Sequence, residues 1–584
     1  MYTELHLHDY YSTLDGLNSP AEYMVRAKEL GMTHLAQTNH GTLSGHREFQ
    51  IAAKNAGITP ILGVEAYVSP TDRFDRRTKA KRTDGTSVYN HMIILAQGET
   101  GLSTLNTLNR LAWETGFYNK PRIDLDLLEE HNEGLIVLSG CLNGLLAKAI
   151  ERDDMDTAMR TAHRLKTMLP GRFYIELQGH NPEKTNAGLI EIGRAMKIPC
   201  VVTSDCHYAR KEDLWIEEAM LILSTSPKVN FEADFNKSQK MEILERFNYL
   251  YPDRMMSFQE IEIYLHSAEE HLKQWAAMPE VLSNTMEIAN SIGEYPFHEA
   301  LDLLPRPKNA DPHELLRKKA EFGLAQRGLD DKPEYVARLN DELKIIMDKD
   351  FSTYFLIVHD MVDWAKSQDI MVGPGRGSAA GSLVCYALGI TNVDPIHYGL
   401  LFFRFIDPSR DDFPDIDTDF EDRRRGEVKD YLRRKFKNVA SIATYSEFVG
   451  KGTVRDAARV FRVPMNDVNK ALKGIDAPPT VDWFPLFEES DKGKEFIKKY
   501  PEVWSLSKEL KGRIRGSGMH AAGIVIAKDD LSKYAPLETA KDPNDPSGDR
   551  VPMVAMDMNM CADVGLIKLD ALGLKALAIL TDTI

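Results

Sequence analysis

The sequence has 584 residues, of which 43% are hydrophobic and 27% are charged, and its formal net charge is −16. This length predicts about four domain-sized units with sizeable cores. No signal peptide and no apolar run of membrane-spanning length is visible, and the five cysteines are an odd, sparse set. These features predict a cytoplasmic protein without a membrane partner.

The first 225 residues or so alternate between strand-like and helical patterns, with possible metal ligands beside the strand-like runs. His6 and His8 alternate onto one strand face, and Asp15 follows shortly after. Further candidates beside such runs are His40, Glu65, Cys141, Asp205 and His207. Polar groups at strand ends are how barrel enzymes build their sites. This ligand mixture suits Zn²⁺, Mn²⁺ or Fe better than Mg²⁺, although a lone histidine is usually structural.

The middle of the chain changes character. Residues 226–301 become helical and charged, and residues 303–314 are proline-rich and linker-like. Residues from about 447 to 520 are predicted to be mostly helical, and HAAGIVIA after them is predicted to be a buried strand. Two basic stretches, 422–437 and 511–517, either contact phosphates or cover solvated helix faces.

The run GPGRGSAAGS combines close-approach glycines with one arginine, and it matches neither common glycine-rich phosphate motif. Gly373, Gly375 and Gly377 let the backbone approach an anion closely. Ser378 is expected to open a helix whose free N–H groups favour phosphate. Arg376 adds a fork of donors suited to phosphate oxygens. The alternative is an ordinary glycine-rich turn into a packed helix.

The run PDIDTDF places three carboxylates close together. Asp415, Asp417 and Asp419 share one face if the segment is extended. Each pair of carboxylates about 4 Å apart costs roughly 4 kcal/mol near a protein surface, which a divalent cation relieves. Asp570, after the run VGLIKL, is a candidate third ligand. The spacing leaves open which two of the three aspartates bind metal, and a solvated edge strand is the alternative.

The segment from GPGRGSAAGS to PDIDTDF resembles the palm of the bacterial replicative DNA polymerase III α subunit. The resemblance implies that Asp415, Asp417 and Asp570 are catalytic ligands of two Mg²⁺ ions. It also implies that the nucleoside triphosphate is held by Gly375, Arg376, Gly377, Ser378, Arg404, Arg410 and Lys568. One departure is Phe403, where the family usually has an acidic residue before Arg404.

The N-terminal half resembles the polymerase-and-histidinol-phosphatase (PHP) domain that opens these α subunits. That resemblance implies a multinuclear Zn²⁺ or Mn²⁺ centre held by His6, His8, Asp15, His40, Glu65, His91, Cys141, Asp205 and His207. His91 is included on the resemblance alone, and His180 is a candidate substrate contact. Asn39 replaces the usual aspartate, which is expected to perturb how His40 is held. In this family an intact set implies a metal-dependent 3′–5′ exonuclease; a purely structural site is the alternative.

The predicted fold class is α/β and multidomain. A distorted β/α barrel is followed by a nucleotidyltransferase-like α/β palm with an inserted, mostly helical thumb. The expected domains are a PHP domain with a helical C-terminal part at 1–285, the first part of the palm at 286–446, the thumb at 447–520, and the second part of the palm at 521–584.

The leading functional hypothesis is the N-terminal half of a DNA-directed DNA polymerase acting on primer–template DNA and deoxynucleoside triphosphates. We expect a second chain to supply the fingers and C-terminal domains if the chain is not a fragment, and replisome subunits to be partners. The isolated chain should synthesise little DNA. The alternatives are a stand-alone PHP-type phosphoesterase or exonuclease with an inert palm, and a non-catalytic half-subunit. The expected DNA-binding residues are Lys451, Arg455, Arg513 and Arg515.

Overall fold

The computed structural model describes residues 1–78, 87–228, 234–299, 302–410, 413–478, 480–542 and 548–584. The chain forms two compact units. The first unit contains Met1–Phe297 and Tyr445–Ser517, and the second contains His298–Thr444 and Gly518–Ile584. Within the described residues, no helix combines the length and apolarity needed to cross a membrane.

The strands of the first 297 residues are β1 (His34–Gln37), β2 (Thr59–Val68), β3 (Asn90–Ala96), β4 (Arg122–Ile123), β5 (Leu135–Leu138), β6 (Phe173–Gln178) and β7 (Cys200–Thr203). The helices there are α1 (Pro20–Glu29), α2 (His46–Ala56), α3 (Gly98–Thr115), α4 (Leu125–Glu130), α5 (Leu145–Glu151), α6 (Met155–Met168), α7 (Glu183–Met196), α8 (Leu214–Thr225), α9 (Phe235–Ser238), α10 (Ile243–Leu250), α11 (Ala268–Gln274) and α12 (Glu280–Ser291).

Further along the chain lie α13 (Pro312–Gln326), α14 (Pro333–Asp348), α15 (Ser352–Ser367), α16 (Leu383–Ala387), β8 (Asp417–Glu421), α17 (Arg425–Phe436), β9 (Val439–Glu447), α18 (Gly450–Val460), α19 (Met465–Leu472), α20 (Trp483–Glu489), α21 (Asp491–Lys499) and α22 (Pro501–Leu510). The last elements are β10 (Ile514–Ile526), β11 (Leu537–Lys541), β12 (Arg550–Val554), α23 (Met558–Val564), β13 (Lys568–Leu574) and α24 (Lys575–Thr583). Short 3-10 helices occupy Lys211–Asp213, Ser378–Gly381, Phe402–Arg404 and Leu531–Lys533.

The sheet of the first unit has the strand order β1-β2-β3-β5-β6-β7, with β4 paired to β2. Strand β3 runs antiparallel to β2 and β5, and the other pairs are parallel. The N-terminal segment links the two end strands, because Ala36 N–H on β1 donates to the Glu4 carbonyl while His8 N–H donates to the Cys206 carbonyl just after β7. The sheet is therefore curled, as expected for this domain. Strands β5 and β7 are buried apolar runs, typical of strands covered on both faces.

The segment expected to form the thumb is mostly helical and packs within the first unit. Phe247 on α10 shares a hydrophobic core with Phe461 and Trp504 of this segment. The buried Arg246 guanidinium donates to Glu502 at 2.6 Å and to the Phe461 carbonyl at 3.0 Å. These contacts give helices α18 to α22 an apolar core and a buried ion pair in common with the N-terminal residues.

The second unit is an α/β unit around a mixed sheet of order β11-β12-β9-β10-β13-β8. Strand β13 is parallel to β8 and antiparallel to β10, and its Asp570 lies opposite Asp417 and Gly523. Buried side chains of α15 and α17 share a core with the apolar positions of β8 and β13. Because the sheet register is fixed by this packing, the positions of the aspartates are fixed with it.

Lys429 on α17 is a buried cation in the second unit. Its side chain is 1% exposed, and its ammonium donates to the Ala521 carbonyl at 2.9 Å. Burial lowers the pKa of Lys429 from 10.5 to about 8, against the opposing effect of Asp542.

The stability contributed by Lys429 should therefore depend on pH. Between about pH 8 and pH 10 the unfolded chain holds a proton on this lysine that the folded chain has lost, so stability rises with pH. We expect the Tm difference, wild type minus Lys429→Met, to increase across that window in thermal unfolding. The exposed Lys318→Met serves as control, with a flat difference. A flat difference for Lys429→Met as well would contradict the shifted pKa.

Candidate metal centres

The nine side chains proposed as ligands in the N-terminal half converge in the first unit. Glu65 on β2 lies at the middle of the cluster. Its Oε1 is 2.7 Å from His91 Nδ1 and 3.3 Å from Cys141 Sγ, and its Oε2 contacts His40 Nδ1. His40 Nε2 is in turn 3.1 Å from Asp15 Oδ2. The curled sheet therefore brings together ligands that are far apart in sequence.

The remaining ligands come from the N-terminal segment and the loop after β7. Asp205 Oδ1 lies 3.0 Å from His6 Nε2 and 3.4 Å from His8 Nε2. The ligand atoms form three groups, and within each group all atoms lie within 4.8 Å of one another. The groups are His8, His40 and His207; His6, His8 and Asp205; and His40, Glu65 and His91. Cys141 joins the cluster through Glu65 and His91 Nδ1, which is 3.5 Å from its Sγ.

The electrostatics of this cluster suit cation binding. Burial raises the pKa of Glu65, but His91 and other imidazoles lower it well below its usual value. Burial likewise raises the pKa of Asp205, but His6 lowers it, and the net pKa is well below its usual value. Burial and neighbouring imidazoles lower the pKa of His8 to about 3. At neutral pH the two carboxylates are ionised and His8 is neutral, which are the forms that bind a metal ion. Burial lowers the pKa of His40, but Glu65 and Asp15 raise it to about 10, so a metal ion would have to displace the proton of this ring.

The residues fit a metal centre on geometry as well. His6 Nε2 and His8 Nε2 face each other at 3.2 Å, an arrangement expected of two ligands directed at shared cations. Among the described residues, several buried ligand atoms make no hydrogen bond of good geometry: Asp15 Oδ1, His40 Nδ1, Glu65 Oε2 and Asp205 Oδ1. Buried polar atoms without hydrogen bonds are costly unless another ligand satisfies them.

Sequence reasoning missed one supporting residue, Glu176 on β6. Its carboxylate contacts His6 Nδ1 at 2.7 Å and is fully buried, so it orients the ring of His6. The signal was an acidic residue inside the apolar run FYIEL. Burial lowers the pKa of His180, and Asp205 partly offsets this effect. His180 therefore lies close enough to interact electrostatically with the cluster.

The second centre is formed by three carboxylates in the second unit. One oxygen from each of Asp415, Asp417 and Asp570 lies within 4.8 Å of the others. Parallel pairing of β13 with β8 sets Asp570 opposite Asp417. Asp419 instead pairs with Arg376, whose Nη1 is 3.1 Å from Asp419 Oδ1. The structure thus separates Asp419 from the other aspartates of the PDIDTDF run.

Two cations lie beside these carboxylates. Lys568 Nζ is 2.7 Å from Asp570 Oδ2 and 3.5 Å from Asp415 Oδ2, and Arg376 Nε is 3.9 Å from Asp417 Oδ2. Burial, Asp415 and Asp570 raise the pKa of Asp417. Asp570 is 4% exposed, and its Oδ1 has no hydrogen-bond partner in the described part of the chain. The donor set of crowded oxygens fits a hard divalent cation.

The glycine-rich loop lies along β8, since Gly373 N–H donates to the Asp419 carbonyl at 2.9 Å. Gly377 has φ 63° and ψ −153°, a conformation essentially restricted to glycine, and a Cβ built there would lie 3.6 Å from Asp417 Oδ2. The helix expected at Ser378 is a 3-10 helix ending at Gly381. The following α-helix begins only after Ser382, because the side chain of Ser382 caps it.

Comparison with known proteins identifies the family. The model described as "Bacterial DNA polymerase III alpha NTPase domain" matches residues 314–573, and the PHP domain model matches residues 4–180. The protein named DNA polymerase III subunit alpha from Aquifex aeolicus is 36% identical over 617 residues, with 99% of this chain and 51% of that protein covered. Its namesake from Treponema pallidum is 36% identical over 595 residues, with 100% and 48% covered.

This chain belongs to the DNA polymerase III α-subunit family. It spans about half the length of the curated relatives it matches. A third relative of the same name, from Mycobacterium tuberculosis, is 34% identical over 625 residues, with 100% of this chain and 50% of that protein covered.

The other nucleotide-binding residues predicted from the family lie at the surface. Arg404 is exposed on the 3-10 helix Phe402–Arg404, which lies against the helix Ser378–Gly381 of the glycine-rich loop. Its neighbour Phe403 is 64% exposed, so an apolar ring stands at the surface beside Arg404. Arg410 is also exposed, and Lys349 donates to its carbonyl oxygen. The roles of Arg404 and Arg410 stay predictions.

The four basic residues predicted to bind DNA differ in their surroundings. Arg513 is 8% exposed, and its guanidinium donates to the Leu17 carbonyl at 2.7 Å and to Glu22 at 3.0 Å. Because these bonds hold it inside the first unit, we do not carry Arg513 forward as a DNA contact. Arg455 is exposed on α18. The others form ion pairs at the surface: Lys451 with Asp476, and Arg515 with Asp456.

Proposed function

We propose that this chain is the N-terminal half of a replicative DNA polymerase α subunit and that Asp415, Asp417 and Asp570 form its nucleotidyl-transfer centre. The convergence of Asp417 and Asp570, on neighbouring strands, with Asp415, just before β8, carries this proposal. The substrates are primer–template DNA and deoxynucleoside triphosphates. A second polypeptide or the remainder of a longer chain supplies the fingers, and replisome subunits are further partners.

In the proposed reaction the primer 3′-hydroxyl attacks the α-phosphorus of the nucleotide, and pyrophosphate leaves. The three aspartates would hold two Mg²⁺ ions, which when bound would stabilise charge on the attacking and leaving oxygens. Lys568 and Arg376 neutralise the triphosphate by moving from carboxylate to phosphate oxygens. Gly377, without a side chain, lets the phosphates approach Asp417.

A second activity is favoured by the ligand cluster of the first unit. We propose that it removes nucleotides from primer 3′ ends: water attacks the terminal phosphorus, the bond from phosphorus to the preceding 3′-oxygen breaks, that oxygen takes up a proton, and a nucleoside monophosphate is released. The nine ligands would hold Zn²⁺ or Mn²⁺, which suit a mixture of imidazole, carboxylate and thiolate donors. Such a centre would correct errors made at the polymerase centre.

Loss of one carboxylate from the second unit should weaken Mg²⁺ binding there. We expect Asp570→Asn to weaken Mg²⁺ binding in calorimetry of the chain after its N-terminal centre has been filled with Zn²⁺. With the rest of the polymerase supplied, nucleotide incorporation should fall more than about 100-fold, the scale of single charge-stabilising groups. The surface variant Glu427→Gln is the matched control. Unchanged Mg²⁺ binding and incorporation in Asp570→Asn would refute the assignment.

The exonuclease proposal is tested on the isolated chain with a 5′-labelled primer–template and Mn²⁺. Wild type should shorten the primer, and His8→Ala should lose this activity because it removes a central ligand. His163→Ala, at an exposed histidine on α6, should behave as wild type. Equal digestion by His8→Ala would identify a contaminating nuclease, and no digestion by wild type would make the centre structural. If deoxynucleotides are added and the isolated chain extends the primer efficiently, the expectation that synthesis requires the fingers would be contradicted.

A further inference from the structure

A buried chain of hydrogen bonds leads from Asp9 to the ligands His8 and His40. Asn39 Nδ2 donates to Asp9 Oδ1 at 2.7 Å, and Asp9 N–H donates back to Asn39 Oδ1 at 3.0 Å. The Ser12 hydroxyl donates to Asn39 Oδ1 at 3.0 Å. Ser12 Oγ is also 3.1 Å from His8 Nδ1 and 3.1 Å from the His40 amide nitrogen. Asp9, Asn39 and Ser12 are all buried.

Asp9 determines which group donates and which accepts in each of these hydrogen bonds. Its carboxylate receives hydrogen bonds from the Tyr11 amide at 2.9 Å and from Gln37 Nε2, and so acts as an acceptor. Because it accepts, Asn39 must present its NH₂ group to Asp9 and its carbonyl oxygen to Ser12. The amide of Asn39 is therefore locked in one orientation.

Ser12, whose hydroxyl proton is committed to Asn39, determines which ring nitrogen of His8 carries a proton. A serine hydroxyl has one proton and two acceptor positions. Its proton is used by Asn39 Oδ1, and one acceptor position is used by the His40 N–H. The remaining position can only accept, so His8 Nδ1 carries the proton. The other ring nitrogen of His8, Nε2, then keeps its lone pair and faces Asp205 and Glu65.

We propose that Asp9 and Asn39 are positioning residues that hold His8 in the tautomer whose Nε2 ligates a Zn²⁺ or Mn²⁺ ion. This inference rests on the proposed N-terminal centre and names residues outside its nine ligands. It also specifies how Asn39 acts: through Ser12, on both His8 and the backbone of His40.

The chain of bonds makes Asn39 intolerant of a charge. In Asn39→Asp, two carboxylate groups would meet where Asn39 Nδ2 and Asp9 Oδ1 now lie 2.7 Å apart, and one of them would have to move or bind a proton. A serine at position 9 offers the remedy. Its hydroxyl oxygen can still accept from the Tyr11 amide, as in a serine turn, while its proton is donated to the new carboxylate. The oxygen facing Ser12 is then retained.

The test is a double-mutant cycle on the full chain, with Zn²⁺ affinity measured by competition with a chromophoric chelator and the Tm of the metal-free chain measured in parallel. We expect Asn39→Asp to weaken Zn²⁺ binding by about 10- to 100-fold, the usual effect of residues that orient a ligand. Asp9→Ser should cost only a few-fold, and Asp9→Ser/Asn39→Asp should recover to within a few-fold of Asp9→Ser. Asn248→Asp adds the same charge at an exposed site and should match wild type.

A merely structural role predicts a different pattern. Ser12→Ala breaks the link to His8 without adding charge, and it lowers the metal-free Tm because its buried partners lose a hydrogen bond. We expect Zn²⁺ binding to weaken by more than this loss of Tm accounts for when compared with the other variants. It also provides the test if Asn39→Asp fails to fold. Two results would overturn the positioning role alone. One is a Zn²⁺ affinity that falls in proportion to the metal-free Tm in every variant. The other is a Zn²⁺ affinity equal to that of wild type in both Asn39→Asp and Ser12→Ala. Absence of Zn²⁺ binding by wild type would overturn the proposed centre, and this inference with it.

Discussion

Repulsion between carboxylates held side by side is the interaction that the second unit has to overcome. Asp415, Asp417 and Asp570 converge within 4.8 Å, where each pair of charges costs roughly 4 kcal/mol near a surface. The parallel register of β13 with β8 maintains this arrangement, since neither strand can slip without turning its apolar side chains out of the core. Lys568 and Arg376 offset part of the repulsion and are suitably placed to exchange carboxylate for phosphate.

The two units solve the same problem with different chemistry. In the first unit, the acidic Glu65 is surrounded by imidazoles, which lower its pKa despite full burial. Its ligands are mixed nitrogen, oxygen and sulfur donors, which suit Zn²⁺ or Mn²⁺. In the second unit the ligands are all carboxylate oxygens and Asp415 is exposed, which suits Mg²⁺ shared with substrate phosphates. The two donor sets therefore favour different kinds of ion.

Strand-like runs and the polar residues at their ends predicted an α/β N-terminal half and most of the side chains that the structure brings together, because strand alternation and strand ends determine which side chains share a face. His91, near the start of β3, was included only through the family resemblance. Partners distant in sequence were out of reach. The PDIDTDF spacing could not separate Asp417 from Asp419; the pairing of β13 with β8 and the ion pair to Arg376 do so. Arg513 lies in a basic stretch, yet its carbonyl and carboxylate partners are near residue 20. Ser378 begins a 3-10 helix, and the α-helix after it begins at Leu383, where Ser382 caps it.

The central claim, that each unit holds its own metal centre, is tested most directly by a crystal of the chain soaked in Mn²⁺ and measured at the manganese absorption edge. The account predicts anomalous peaks within about 2–2.5 Å of carboxylate oxygens of Asp417 and Asp570, and separate peaks beside His8 Nε2 and Glu65. Peaks only on surface carboxylates, with neither centre occupied at saturating Mn²⁺, would contradict it.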